Sequence, residues 1–196
     1  VDVSKQFLIQ DSASAEEMLK RDIVNAISDK LEATILGSAA GSATMPAGIF
    51  NGVTPETKDI TYKRLVDMET ALEEANVAGN KCFIVSPSAK GILKTTAKDA
   101  LYNVTDGGVH TCVGCAGCLM EENEVNGYPV YCTSNVTSKG VVMGHFEDFV
   151  IGQWGGIDLT VDPYTQAANG KVRLVINAYF DAKPRRTGSF QKAILK

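Results

Sequence analysis

The residues best suited to chemistry in this chain are three cysteines at every third position. Segment 110–118 reads HTCVGCAGC and sets Cys112, Cys115 and Cys118 behind His110. Soft thiolate donors at that spacing can converge on one ion, so the pattern suggests an iron–sulfur or zinc site. A four-iron cluster needs a fourth ligand, which the bacterial ferredoxin pattern supplies as a Cys followed by Pro. Here that position is Glu122, followed by Asn123. The fourth ligand would have to be remote: Cys132, or His110 if the ion is zinc. Neither choice gives the paired CxxC…CxxC arrangement that marks a zinc site strongly. Reduced thiols in a turn-rich loop are therefore the favoured reading. A small metal or iron–sulfur protein built on Cys112, Cys115 and Cys118 is the competing one.

Other chemistry-bearing residues lack partners at useful spacing. His110 and His145 are the only histidines. His145, beside Phe146, reads as a packed or surface side chain, and no Ser or Cys nucleophile is paired with it to argue a triad. Glu121, Glu122 and Glu124 form a solvated acidic turn around Asn123. The single Trp, Trp154, reads as a core or domain-junction anchor. The glycine-rich stretch GSAAGSATMPAGIFNG (37–52) is not followed by Gly-Lys-Ser/Thr and follows no strand, so it fails as a phosphate cradle and reads as a connector between two domains. No catalytic, cofactor or metal residue is assigned, and the expected role is not enzymatic.

Composition narrows the class. The chain has 196 residues, enough for one large domain or two small ones. It is 44% hydrophobic and 21% charged, with a net charge of −4, so no basic field invites nucleic acid. Lys183, Arg185 and Arg186 form the only basic knot, expected to be a solvated turn. No apolar run is long enough to span a bilayer and no signal peptide opens the chain. The first residues lack an initiator Met, which predicts that upstream residues have been removed or left out. Five cysteines without a secretory signal favour a reducing compartment.

The elements that would position these residues follow from periodicity. Ser14 and Glu17 have capping-box spacing ahead of Leu19, Ile23, Ile27, Leu31 and Ile35, a stripe at intervals of four that predicts a long helix stopped at a left-handed Gly37. A second helix is expected over about 61–76, a buried strand over 81–85, and a helix over about 88–95 with Ser86 as cap and Pro87 in its first turn. Asn126–Gly127 marks a tight turn. Strands are expected over 128–133, 140–144, 149–154 and 157–161. Residues 162–170 form a turn, 172–180 alternate as a long half-buried strand, and 190–195 close the chain.

The order of these pieces resembles the major capsid protein of tailed bacteriophages, the family with the HK-97-type fold. LEATILGSAAGSATMPAGIFNG is similar to the end of that family's spine helix and its connector. CFIVSPSAKGILKTT resembles its strand, Ser-Pro turn and short helix, and VNGYPVYCTSNV its Gly-x-Pro-Val strand. GVVMGHFEDFVIGQWGGIDLTVDP resembles its hairpin and following strand, and VRLVINAYFDAKPRRTGSFQKAIL its closing strands. The resemblance implies an α+β fold. A peripheral domain with the spine helix would take residues 1–48 and 153–196, and an axial domain with a mixed sheet flanked by helices would take 49–152. The family's N-terminal arm and E-loop would precede residue 1.

The resemblance also implies a function. The chain would be the structural subunit of an icosahedral phage or prophage capsid, self-assembling into pentamers and hexamers around double-stranded DNA. Its partners would be its own copies, a scaffolding region, a portal and a maturation protease, with no cofactor and no membrane. It would reside in the virion, and in the host cytoplasm during assembly. Members that crosslink themselves use an Asn and a Glu on the peripheral domain. Those places fall near Lys171 and Ala178–Tyr179, where there is no carboxylate, and Asn169 and Asn177 are out of register, so no crosslinking is expected. An encapsulin-type nanocompartment shell is the alternative on the same fold.

Overall fold

A computed structural model describes residues 1–10, 12–98 and 117–196. In chain order the elements are β1 (Asp2–Ser4), α1 (Lys5–Gln10), α2 (Ser12–Ile35), α3 (Tyr62–Glu74), β2 (Cys82–Val85), α4 (Pro87–Thr95), β3 (Glu124–Val125), β4 (Tyr128–Cys132), β5 (Gly140–Gly144), β6 (Phe149–Asp162), β7 (Lys171–Pro184) and β8 (Phe190–Ile194). The described chain forms two compact units, Val1–Glu32 with Ile151–Asp181, and Ala33–Val150 with Ala182–Lys196. The unit boundaries thus fall at other places than residues 48/49 and 152/153. The 37–52 segment lies wholly inside the second unit.

The first unit consists of α1, most of α2 and a three-stranded sheet in the order β1-β7-β6. β6 and β7 each run 14 residues, about 46 Å at the usual strand rise. The residues between them, 163–170, can stretch no more than about 29 Å. A return to the start for parallel pairing is therefore out of reach, and the two strands form an antiparallel ribbon. β1 lies antiparallel on β7, with Asp2 opposite Arg173. Arg173 donates Nε to Asp2 Oδ1 at 2.7 Å and its terminal nitrogen to Oδ2 at 2.9 Å. Along α2, Leu19, Ile23, Ile27 and Leu31 are half-buried while Lys20, Asp22, Asp29 and Lys30 are exposed, which matches the stripe expected from spacing. The helix begins at Ser12, ahead of the expected Ser14 cap.

The second unit is a five-stranded mixed sheet, β3-β4-β2-β5-β8, with β2 parallel to β4 and the other pairs antiparallel. β5 sits between β2 and β8, and all five of its residues are buried. α3 lays Leu65, Met68 and Leu72 on the core, each at 0% exposure. That face follows from 3.6-residue periodicity, and the helix starts where Thr61 accepts from the Arg64 N–H. α4 starts as expected, with Ser86 accepting from Ala89 N–H and Pro87 in the first turn. A second cluster gathers Leu36, Ile49, Phe50, Val136, Val142 and Phe190.

Gly37 does not take the left-handed conformation expected of it. The carbonyls at the end of α2 are satisfied from elsewhere: Ile49 N–H donates to Ile35 O, Phe50 N–H to Gly37 O, and Thr137 N–H to Leu36 O. These bonds press two backbones together. A Cβ on Gly48 would fall 2.2 Å from Gly37 O, so glycine is required there for close approach rather than for φ. Residues 48–50 are thus packed against the end of α2, with Phe50 fully buried, while 38–45 are exposed. The two strands expected over 149–154 and 157–161 are one strand, β6, which continues through Gly155 at φ +73° and Gly156.

Candidate functional site

The cysteine motif divides between described and undescribed residues. His110, Cys112 and Cys115 lie outside the described residues. Cys118 is half-buried and forms a β-bridge with Ala97. Cys132 is exposed at the end of β4, and Cys82 is half-buried on β2. Burial pushes the Cys82 thiol above its ordinary value, which disfavours the thiolate that would attack or ligate. Among the described residues no three His, Cys, Asp or Glu side chains are gathered to hold a metal.

The carboxylates at 121–124 stand in a tight turn. Glu121 and Glu124 exchange backbone hydrogen bonds, Glu122 takes φ +53°, and Lys98 reaches Glu121 at 3.5 Å. Lys183, Arg185 and Arg186 are exposed, and Arg186 donates to Ala75 O at 3.3 Å. Both groups have the solvated character expected of them.

Sequence reasoning missed that His145 shares a corner of the second unit with Asp148 and Ser189, the three residue types of a hydrolase triad. Their bonds are wrong for that chemistry. His145 Nδ1 lies 2.8 Å from Asn80 O. A carbonyl only accepts, so Nδ1 carries the proton and donates. Nε2 faces Glu147 Oε2 at 3.6 Å. Ser189 is fully buried and donates its Oγ–H directly to Asp148 Oδ2, with no base between. A nucleophile must be accessible and bonded to its base, and Ser189 is neither. The corner is a structural latch: His145 N–H also donates to Ser189 O, and Arg185 N–H to Asp148 O.

Trp154 is not a core residue. It is 61% exposed on β6 and stacks over Gly152, where a Cβ would approach its ring to 3.0 Å. A narrow two-stranded ribbon has too little area to bury an indole. Ile157, Leu159, Val161, Val175 and Tyr179 are also exposed along β6 and β7, and Tyr164 in the connecting turn is 84% exposed. Exposed apolar side chains grouped on one element mark an interaction surface more often than a solvated one. Lys171, Asn177 and Tyr179 point to solvent on β7, Ala178 is half-buried, and Asn169 in the turn donates to Gln166 Oε1.

Among the described residues, the feature that stands out is an extended ribbon with exposed apolar side chains. A family model described as the Phage capsid family matches residues 1–193. The major capsid protein of Halomonas phage phiHAP-1 is 26% identical over 197 residues, covering 97% of this chain. The chain spans 30% of that relative's length. Among solved structures, the capsid of an empty GTA particle is similar over 100% of this chain and 70% of its own, with a TM-score of 0.68 at 15% identity. The holo-SrpI encapsulin complex from Synechococcus elongatus PCC 7942 is similar over 99% of this chain and 71% of its own, with a TM-score of 0.62 at 13% identity. At those identities the structural likeness speaks to the fold, which is the HK-97-type α+β fold.

Proposed function

Since the chain belongs to the phage capsid family, we propose that it is the structural subunit of an icosahedral phage or prophage shell, with copies of itself as principal partner. The match over residues 1–193 carries this reading. The exposed apolar ribbon supports it, because closed symmetry multiplies modest contacts of that kind into a stable assembly. In this reading the helix-and-ribbon unit takes the peripheral role and the five-stranded unit the axial role. Subunits form pentamers and hexamers that enclose double-stranded DNA without reading its sequence. A scaffolding region, a portal and a maturation protease complete the assembly, which passes from the host cytoplasm into the virion. No catalytic step is assigned to the chain, and no self-crosslink is proposed.

A nanocompartment shell is the second reading, favoured by the likeness to the encapsulin fold. Expressing the gene's whole product in bacteria and imaging it by electron microscopy, with a nuclease-protection assay, separates the outcomes. Closed shells that protect DNA are expected. Shells that hold protein cargo and no DNA would favour the nanocompartment, and soluble monomers under every assembly condition would overturn both.

A further inference from the structure

Three Asn–Gly steps punctuate the described chain: Asn51–Gly52, Asn126–Gly127 and Asn169–Gly170. Such a step is where a polypeptide most readily attacks itself, because glycine has no side chain to keep its nitrogen from the preceding side-chain amide. The three are identical as dipeptides and differ in how the fold holds them.

Asn126 is restrained at its leaving group. Its Nδ2 donates to Glu69 Oε2 at 3.3 Å, its Oδ1 is buried, and Asn126 and Gly127 sit in a tight turn at φ +53° and +79°. Glu69 is itself fixed by the Tyr128 hydroxyl at 3.1 Å. Asn169 is restrained at both reacting groups. Its Nδ2 donates to Gln166 Oε1 at 2.8 Å, and the Gly170 N–H is committed to Ala167 O at 3.1 Å. Asn51 is held at neither. It is exposed in a turn closed by Val53 N–H on Phe50 O at 3.1 Å. Among the described residues, neither its carboxamide nor the Gly52 N–H makes a hydrogen bond. A Cβ on Gly52 would meet nothing within 4 Å, so open space surrounds the step.

We propose that Asn51 is a self-modification site, converted by water to aspartate and isoaspartate ahead of the other two Asn–Gly steps. The Gly52 nitrogen attacks Asn51 Cγ. The N–Cγ bond forms, the Cγ–Nδ2 bond breaks, and Nδ2 departs as ammonia with the proton from the Gly52 N–H. Water then opens the five-membered imide at either carbonyl. Across both steps one water enters and one ammonia leaves, with no oxidation or reduction. Either product adds a negative charge. The isoaspartyl product also routes the main chain through the former side chain and lengthens the turn by one carbon. That lengthening disturbs the Val53–Phe50 bond and the seat of Phe50 against Leu36, Val136 and Phe190.

The test is incubation of the folded protein in mildly alkaline buffer, followed by peptide mass mapping and labelling with an isoaspartyl methyltransferase. Conversion is expected first at Asn51. Gly52→Ala should slow it about tenfold, the effect of roughly 1.4 kcal/mol on a barrier. Glu69→Ala should accelerate conversion at Asn126 and leave Asn51 unchanged. Conversion at Asn126 or Asn169 as fast as at Asn51 would overturn the proposal. So would an intact Asn51 over a period in which the same chain reacts there in denaturant. Ranking the three sites within one unaltered chain needs no variant, so the test survives if Gly52→Ala fails to fold.

Discussion

At Gly79 the backbone takes φ +98°, and an added Cβ would fall 2.5 Å from Cε1 of His145. Two penalties coincide there, since a side chain is strained at that φ and the ring cannot retreat while Nδ1 holds Asn80 O. Gly79→Ala should therefore lower unfolding free energy by about 1–3 kcal/mol, read from urea titration. Adding His145→Ala should return part of the loss by removing the collision, while the strain from φ remains. An effect of zero in the single variant would show that the turn shifts without cost. Sequence reading left His145 as a packed or surface side chain, and its side chain is 12% exposed. That reading could not name the partner, because the bond joins residues 65 apart, and nothing local to His145 points to Asn80. Gly37 failed for a related reason. A glycine after a helix suggests φ, whereas a Cβ here would fall 2.7 Å from Ala33 O, and the close approach to the Gly37 carbonyl is a demand on Gly48, which only the folded chain reveals.

The ribbon formed by β6 and β7 is tied by carboxylates at its tip and, just beyond the turn, at the start of β7. Asp162 accepts from the Thr165 hydroxyl and from the N–H groups of Tyr164 and Thr165, and these bonds hold its carboxyl below the ordinary 3.8. The Arg173 side chain donating to Asp2 lowers that carboxyl likewise. A carboxyl lowered in the folded state contributes stability that is complete above its unfolded value and lost as pH falls through the folded value. Acid should therefore loosen the tip and β1 together as pH falls below about 4. Hydrogen exchange at the Tyr164 and Thr165 amides, corrected for intrinsic rates, reads this, and Asp162→Asn should bring the loosening to neutral pH at the tip alone. Unchanged protection down to pH ~2 would refute it. At this scale the sequence was most legible where periodicity was unbroken, as in α3, or where glycines bounded a short apolar run, as in β5. β6 was misjudged because Gly155 and Gly156 look like punctuation. A strand held on one side by a long partner crosses two glycines when its neighbour supplies the hydrogen bonds.

For the whole molecule, the proposed shell role is supported by side chains that a monomer gains nothing by exposing. Replacing Ile157 and Leu159 with Asp should leave the circular dichroism spectrum and unfolding midpoint nearly unchanged, since both residues are already about half exposed. Assembly of the gene's whole product, followed by light scattering, should be lost. Shells that form as before would remove the ribbon from the interface. The capsid likeness was legible in the sequence as an order of weakly specific pieces, none of which identifies a surface. The ribbon itself was hidden, because an alternating strand looks the same whether its apolar side faces its own core or another copy. One feature of the second unit bears on when such a subunit becomes available. β8 pairs along the full length of β5, yet residues 145–189, the ribbon included, are synthesised between them. At about 5–20 residues per second a ribosome takes roughly 2 to 9 seconds to cross that interval. Throughout it, β5 has an open side, so the five-stranded sheet is completed only after the ribbon has been made.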